Sequence, residues 1–321
     1  MTDVSFAISD WVFNASQQRS YFLWDLPMDD AVMKVDHNQL APRLGFTFHR
    51  TFSLNRSAVS DILKLAWRAD PLVGKTTGLT REMIRGLTHL GTIYVESMPR
   101  YGFGAGLLDS NNCLTLFGEL AQQNDPLLDQ ISTQWLMHYH LSAPHGPGPA
   151  FWHELVATRF RIGSDFTRAD LCEQIARFYE QAEGKPLAER SARTSVTIFL
   201  GTYLKADGLG RLRLIWEDSE GRLHAREPEA PSTWVFACAL VDYWRAHFPD
   251  RLTINLDTLT APRGLADLFM ISSGQLNRLL REIQDAGHIN VYRVAPPYQV
   301  VLLHQDTGPL LGRMYGINDS G

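Results

Sequence analysis

The chain has 321 residues, 45% hydrophobic and 20% charged, with a formal net charge of −5. That length allows two or three domains with cores of their own, and the acidic balance excludes a global basic field, so nucleic-acid contact must come from local patches. The N-terminal residues lack a basic region followed by an apolar one, and no apolar run reaches the roughly 18 residues of a membrane span; a cytoplasmic protein without membrane contact is expected.

Residues 1–45 carry Trp11, Phe13, Tyr21, Phe22 and Trp24 and read as an aromatic arm suited to docking. From Ser57 onward Val59, Ile62, Leu63, Leu65 and Ala66 fall near helical spacing, with Ser57 or Ser60 as cap. After a loop over residues 71–78, a second helix starts at Leu79 and is stopped by Gly91. Thr92 to Glu96 reads as a strand, residues 98–110 as a glycine-rich wing loop, and Cys113 to Leu116 as a returning strand that closes on Phe117-Gly118-Glu119-Leu120. Helix, turn, helix and hairpin give residues 46–124 the winged helix-turn-helix order.

Residues 125–231 form a helical centre broken by the Pro/Gly-rich loop 143–149, with Thr167 as a helix N-cap and a hairpin from 212–215 to 223–225. Residues 232–321 repeat the first order: helix Trp234 to Phe248, strand Leu252 to Leu256, helix Gly274 to Ala286 ended by Gly287, then strands Ile289 to Val294 and Tyr298 to His304. The expected fold class is α+β, mainly α with small β wings, with N-terminal and C-terminal winged helix-turn-helix modules around a helical centre. Cys113, Cys172 and Cys238 lie far apart with no C-x-x-C pair and read as reduced core thiols.

Tempting catalytic motifs fail on spacing. Val73-Gly74-Lys75-Thr76 resembles the end of a phosphate loop, but the glycine required five residues before Gly74 is Ala69. His153-Glu154 would open a zinc helix, but the second histidine is Ala157; His138 and His140 diverge by about 200° on a helix. Basic and polar residues on the expected recognition helices are the stronger lead. Thr80, Arg81 and Arg85 fall on the first; Ser272, Ser273, Gln275, Asn277, Arg278 and Arg281 fall on or before the last. Short donors suit phosphates, and Arg, Asn or Gln suit base edges. The wings add Arg100 with Tyr101, and Tyr292 with Arg293, while Lys75 could touch a phosphate. Winged helices also bind proteins, so an interaction scaffold or transcription regulator stands as the alternative.

Several segments also carry a family resemblance: Phe48-His49-Arg50-Thr51-Phe52, Val73-Gly74-Lys75 with Met83-Ile84-Arg85, and above all Phe117-Gly118-Glu119-Leu120, Asp125-Pro126 and Thr133-x-Trp135-Leu136-x-His138. Weaker matches run through Phe166-Thr167-Arg168, residues 239–244 and residues 261–269. The chain resembles a bacterial family of anti-phage islands whose members include SspB-type proteins of DNA phosphorothioation systems. The basic helices point to double-stranded DNA as a partner; the resemblance implies sulfurtransferase and ATPase subunits of the same system as further partners, and DNA nicking as an activity. A homodimer is left open. Nicking would need Mg²⁺ or Mn²⁺ held by acids or histidines; His49, Glu119, His138, His153 and Glu154 are the candidates, and spacing does not select among them. The chain departs from the family pattern at Arg50, where an acid is expected, and at His153, where an asparagine is expected beside Glu154.

Overall fold

A computed structural model describes residues 42–73, 78–88 and 91–317. Lys75 and the arm up to residue 41 lie outside the described residues. Helix α1 (Arg56–Val73) buries Val59, Ile62, Leu63 and Ala66, as their spacing predicts. Its cap is Asn55, whose side-chain carbonyl accepts the Ala58 N–H at 2.8 Å, rather than Ser57 or Ser60, and residues 71–73 continue the helix instead of starting a loop. Helix α2 (Arg81–Leu87) is capped by Thr80 and ends at Thr88, before the expected Gly91.

The next segment departs most from expectation. Thr92–Gly104 is helix α3, not a strand followed by a wing. The run of β-branched and aromatic residues Thr92-Ile93-Tyr94-Val95 favours a strand locally, but helical spacing turns Val95, Met98 and Tyr101 into the core, where α3 packs on α1. Burial of that stripe overrides propensity. The returning strand shrinks to one bridge between Leu108 and Leu114. Helix α4 (Leu116–Asn124) follows, capped by Thr115, whose hydroxyl accepts the Gly118 N–H at 3.0 Å and donates to the Gly106 carbonyl at 2.6 Å. Phe117-Gly118-Glu119-Leu120 is therefore the first turns of a helix. Gly118 is required there because a Cβ would sit 2.0 Å from the Leu107 carbonyl oxygen.

The centre follows its sequence pattern. Helices α5 (Ile131–Ser142) and α6 (Ala150–Arg159) flank the loop 143–149; strand β1 (Asp165–Phe166) leads to α7 (Arg168–Glu183) and α8 (Glu189–Leu204). Thr167 and Asp170 form a reciprocal capping box at the start of α7. Strands β2 (Ile215–Glu217) and β3 (Leu223–Ala225) make the expected hairpin, and β1 adds to it antiparallel in the order β1-β3-β2.

Beyond it come α9 (Thr233–His247), β4 (Thr253–Asn255), the one-turn helices α10 (Asp257–Thr260) and α11 (Leu265–Leu268), α12 (Ser273–Asp285), β5 (Ile289–Tyr292), β6 (Gln299–Leu302) and α13 (Gly308–Met314). The second sheet is antiparallel in the order β4-β6-β5, with Ile254 and Val291 both opposite Val300. The described residues are thus mainly helical with two small antiparallel sheets. Buried apolar residues from Phe48 to Met314 form one continuous core. Cys113, Cys172 and Cys238 are free thiols, and only Cys238 is fully buried. Among the described residues no helix is long and apolar enough to cross a membrane.

Candidate nucleic-acid interface

Helix α12 has two faces set by its 100° step. Leu276, Leu279, Leu280 and Ile283 point into the core, while Gly274, Arg278, Arg281 and Asp285 fall within about 30° of the opposite direction and Asn277 lies on the flank, about 70° from it. Ser272 and Gln275 form a capping box, the Ser272 hydroxyl accepting the Gln275 N–H at 3.4 Å and the Gln275 side chain accepting the Ser272 N–H at 3.2 Å. Two residues expected to meet DNA are thus engaged in starting the helix. Ser273 and Arg278 are exposed.

The turn between β5 and β6 stands beside this face. Arg293 donates from its guanidinium to the Asn277 side-chain carbonyl at 2.6 Å, and Arg281 Nε donates to the Asn277 backbone carbonyl at 3.2 Å. These bonds tie turn and helix into one surface holding Asn277, Arg278, Arg281 and Arg293. Tyr292 is half exposed and Val294, at the tip, is 97% exposed. Arg278 and Arg281 stand at the middle of the helix, and the acids Glu282 and Asp285 follow in its last turns.

The N-terminal residues are placed differently. Arg81 pairs with Glu96, which also holds Arg50 at 3.3 Å, and Arg85 reaches the Thr92 hydroxyl at 3.5 Å. Thr80 caps α2. Arg100 is on α3 and donates to the Phe48 carbonyl at 3.3 Å; Tyr101 is buried and donates to the Phe52 carbonyl at 2.8 Å. Neither stands on a wing, because α3 occupies the place of the expected hairpin.

The five residues considered for catalysis do not come together. His138 is fully buried: Tyr203 donates its hydroxyl to Nδ1 at 2.8 Å, Nε2–H donates to the Leu268 carbonyl at 2.7 Å, and burial lowers its pKa to about 4. The Trp152 indole N–H completes the chain by donating to Tyr203 at 2.8 Å. His49 accepts the Thr51 N–H on Nδ1, so Nε2–H donates to the Ser195 hydroxyl, each at 3.3 Å. Donating, it cannot draw the proton from Ser195. His153 donates Nδ1–H to the Ser142 carbonyl at 2.8 Å; burial depresses the pKa of both His49 and His153 to about 4.

Glu154 is buried and paired with Arg263, at 2.9 Å to Oε2 and 3.3 Å to Oε1, while Gln174 donates to Oε1 at 2.9 Å. Glu119 lies apart in the first turn of α4. Magnesium needs several open oxygen ligands in octahedral array. Among the five candidates the one buried carboxylate, Glu154, is occupied, the others are mostly nitrogen donors, and no three acids, histidines or cysteines among the described residues are placed to hold a metal. The residues do not fit such an ion.

A polar row with no sequence signal lies between the loop 143–149 and α9. His145 Nε2 meets Asp242 Oδ2 at 2.8 Å, His145 Nδ1 meets His247 Nε2 at 3.0 Å, and Tyr139 donates its hydroxyl to Asp242 at 2.9 Å. Burial works against the Asp242 carboxylate, yet the hydrogen bond and charge of His145, with Tyr139, hold it well below the usual carboxylate range. Burial pushes His247 down to about 3. The row fastens the loop to α9. No spacing rule finds a histidine about a hundred positions away from the aspartate and histidine it meets.

Two solved structures share this fold. A magnesium ion-bound SspB crystal structure superposes with a TM-score of 0.70 at 16% identity, covering 88% of this chain and 90% of the other. A second SspB crystal structure gives 0.69 at 18% identity, covering 88% and 91%. No curated protein matches. Residues 109–309, more than half of the chain, match DUF4007, a family of proteins of unknown function, and the chain belongs to that family.

Proposed function

We propose that this chain is a cytoplasmic DNA-binding component of a bacterial defence or DNA-modification complex of the phosphorothioation type, acting with sulfurtransferase and ATPase subunits. Its C-terminal residues from α9 to β6 act as a winged helix-turn-helix, with α12 as the recognition helix and the β5–β6 turn as the wing. The observation that carries the reading is the single surface of Asn277, Arg278, Arg281 and Arg293 on a capped amphipathic helix. Guanidinium groups meet phosphates or guanine edges there, and Asn277 is the residue type that reads adenine. The shared fold with SspB supports the choice of system. The reading stops short of nicking, because His49, His138, His153 and Glu154 are occupied and stand apart from Glu119.

Duplex binding measured by fluorescence anisotropy over a range of salt tests it. Affinity should fall steeply with salt, and Arg278→Ala with Arg281→Ala should lower the slope of log K against log salt by about 0.9 for every phosphate no longer neutralised. No binding at low salt, or an unchanged slope in the double variant, overturns it.

A further inference from the structure

A second basic surface lies on α8, where the sequence carries no recognition-helix pattern. Arg190, Arg193, Thr194 and Thr197 recur at helical spacing and share a face. With Thr51, Glu189 and Ile198 they line an open groove of about 360 Å³. Its far wall is a turn in which Arg50 and Thr51 both have left-handed backbones, at φ 48° and 78°. Such conformations in non-glycine residues persist only where surroundings hold them, and they cluster at ligand sites. Here the hold is explicit: Thr51 donates to His49, His49 donates to Ser195 of α8, and Arg50 is tied to Glu96.

The charges favour an anion. Arg193 pairs with Glu189, and both are well exposed, so water weakens that pair and a phosphate can replace it. Arg190 has no acidic partner among the described residues, and Arg50 and Arg81 share the single carboxylate of Glu96. The Thr194 and Thr197 hydroxyls donate back to the Arg190 and Arg193 carbonyls at 2.8 Å each, which leaves the guanidinium groups as the groove's strong donors. An open groove suits a continuous strand passing through more than a small molecule enclosed on all sides.

We propose that this groove binds the phosphodiester backbone of a nucleic acid, as a contact additional to α12; the inference rests on the DNA-binding reading above. Duplex binding by full-length protein should weaken three- to tenfold at about 0.1 M salt in the Arg190→Ala/Arg193→Ala variant, with the salt slope reduced by about one to two. Glu189→Gln should act oppositely and tighten binding two- to threefold, a gain that damage to the fold would not produce. If both variants bind as the parent does while Arg278→Ala/Arg281→Ala weakens binding, the groove does not touch DNA and the α12 reading survives. Should the parent protein not bind DNA at all, both fall. If ATP or inorganic phosphate binds the parent but not the Arg190/Arg193 variant, and duplex binding ignores the pair, the groove serves a free phosphate and the proposal is overturned.

Discussion

Glu154 shows how far residue identity can mislead when partners are out of view. Beside His153 it looks like metal chemistry, but Arg263, 109 positions away, takes both carboxylate oxygens. Paired carboxylates inside a fold are costly to orphan: removing one partner of a buried pair typically costs 3–5 kcal/mol. Because Arg263 keeps a quarter of its side chain in water, Arg263→Met should cost about 2–3 kcal/mol, read as a lowered urea midpoint. Adding Glu154→Gln should restore part of the loss. If Arg263→Met leaves the midpoint unchanged, the pair is not a structural tie. The same lesson holds for His49 and His138, whose nitrogens are all engaged by other groups in the fold.

At the level of elements, legibility followed the source of stability. Helix α12, the β5–β6 hairpin and the Thr167 cap could be read because each carries its own signal: a four-residue apolar stripe, alternating apolar residues, and an N-cap with an acid three residues on. Helix α3 could not, since its stability comes from packing on α1 while its local residues favour a strand. The α12 cap is testable by itself. Ser272→Ala removes the acceptor for the Gln275 N–H, and should destabilise the protein by about 1 kcal/mol, seen as a small drop in Tm. Binding, measured below Tm, should change little, because the cap starts the helix rather than touching DNA. A loss of binding with no loss of stability would instead make Ser272 a phosphate ligand. The candidate site was legible only in part: α12 could be read, whereas the His145–Asp242–His247 row depends on the docking of a loop against a helix.

For the whole molecule, buried histidines set the response to acid. His49, His138 and His153 stay neutral when folded down to a pH of about 4, whereas in the unfolded chain they take up protons near 6.5. Unfolding therefore absorbs protons between those values, and stability is kept above pH 6.5 and lost as pH falls toward 4. Each such ring adds up to about 1.4 kcal/mol per pH unit, and buried His140 and His247, lowered likewise, act in the same sense. Chemical denaturation from pH 7 to pH 4.5 should show this fall, and His138→Gln should make it shallower. Stability indifferent to pH across that range would contradict the burial of these rings. His224 runs the other way. Its hydrogen bond to Asp218, with Asp165 on the other nitrogen, raises its pKa, so its contribution is complete at low pH and fades as pH rises through the raised value.

The hydrogen-bonded thread from Trp152 through Tyr203 and His138 to the Leu268 carbonyl links α6, α8, α5 and α11 inside one core. With Glu154 clasping Arg263, it leaves the half of the chain that bears α12 seated on the helical centre rather than swinging on a tether. The separation between α12 and α8 is therefore set by the fold. If both surfaces meet one duplex, as proposed above, the protein would work as a ruler: the duplex would have to bend or shift its own path to fit, and the length of DNA needed for full affinity would be a property of the fold.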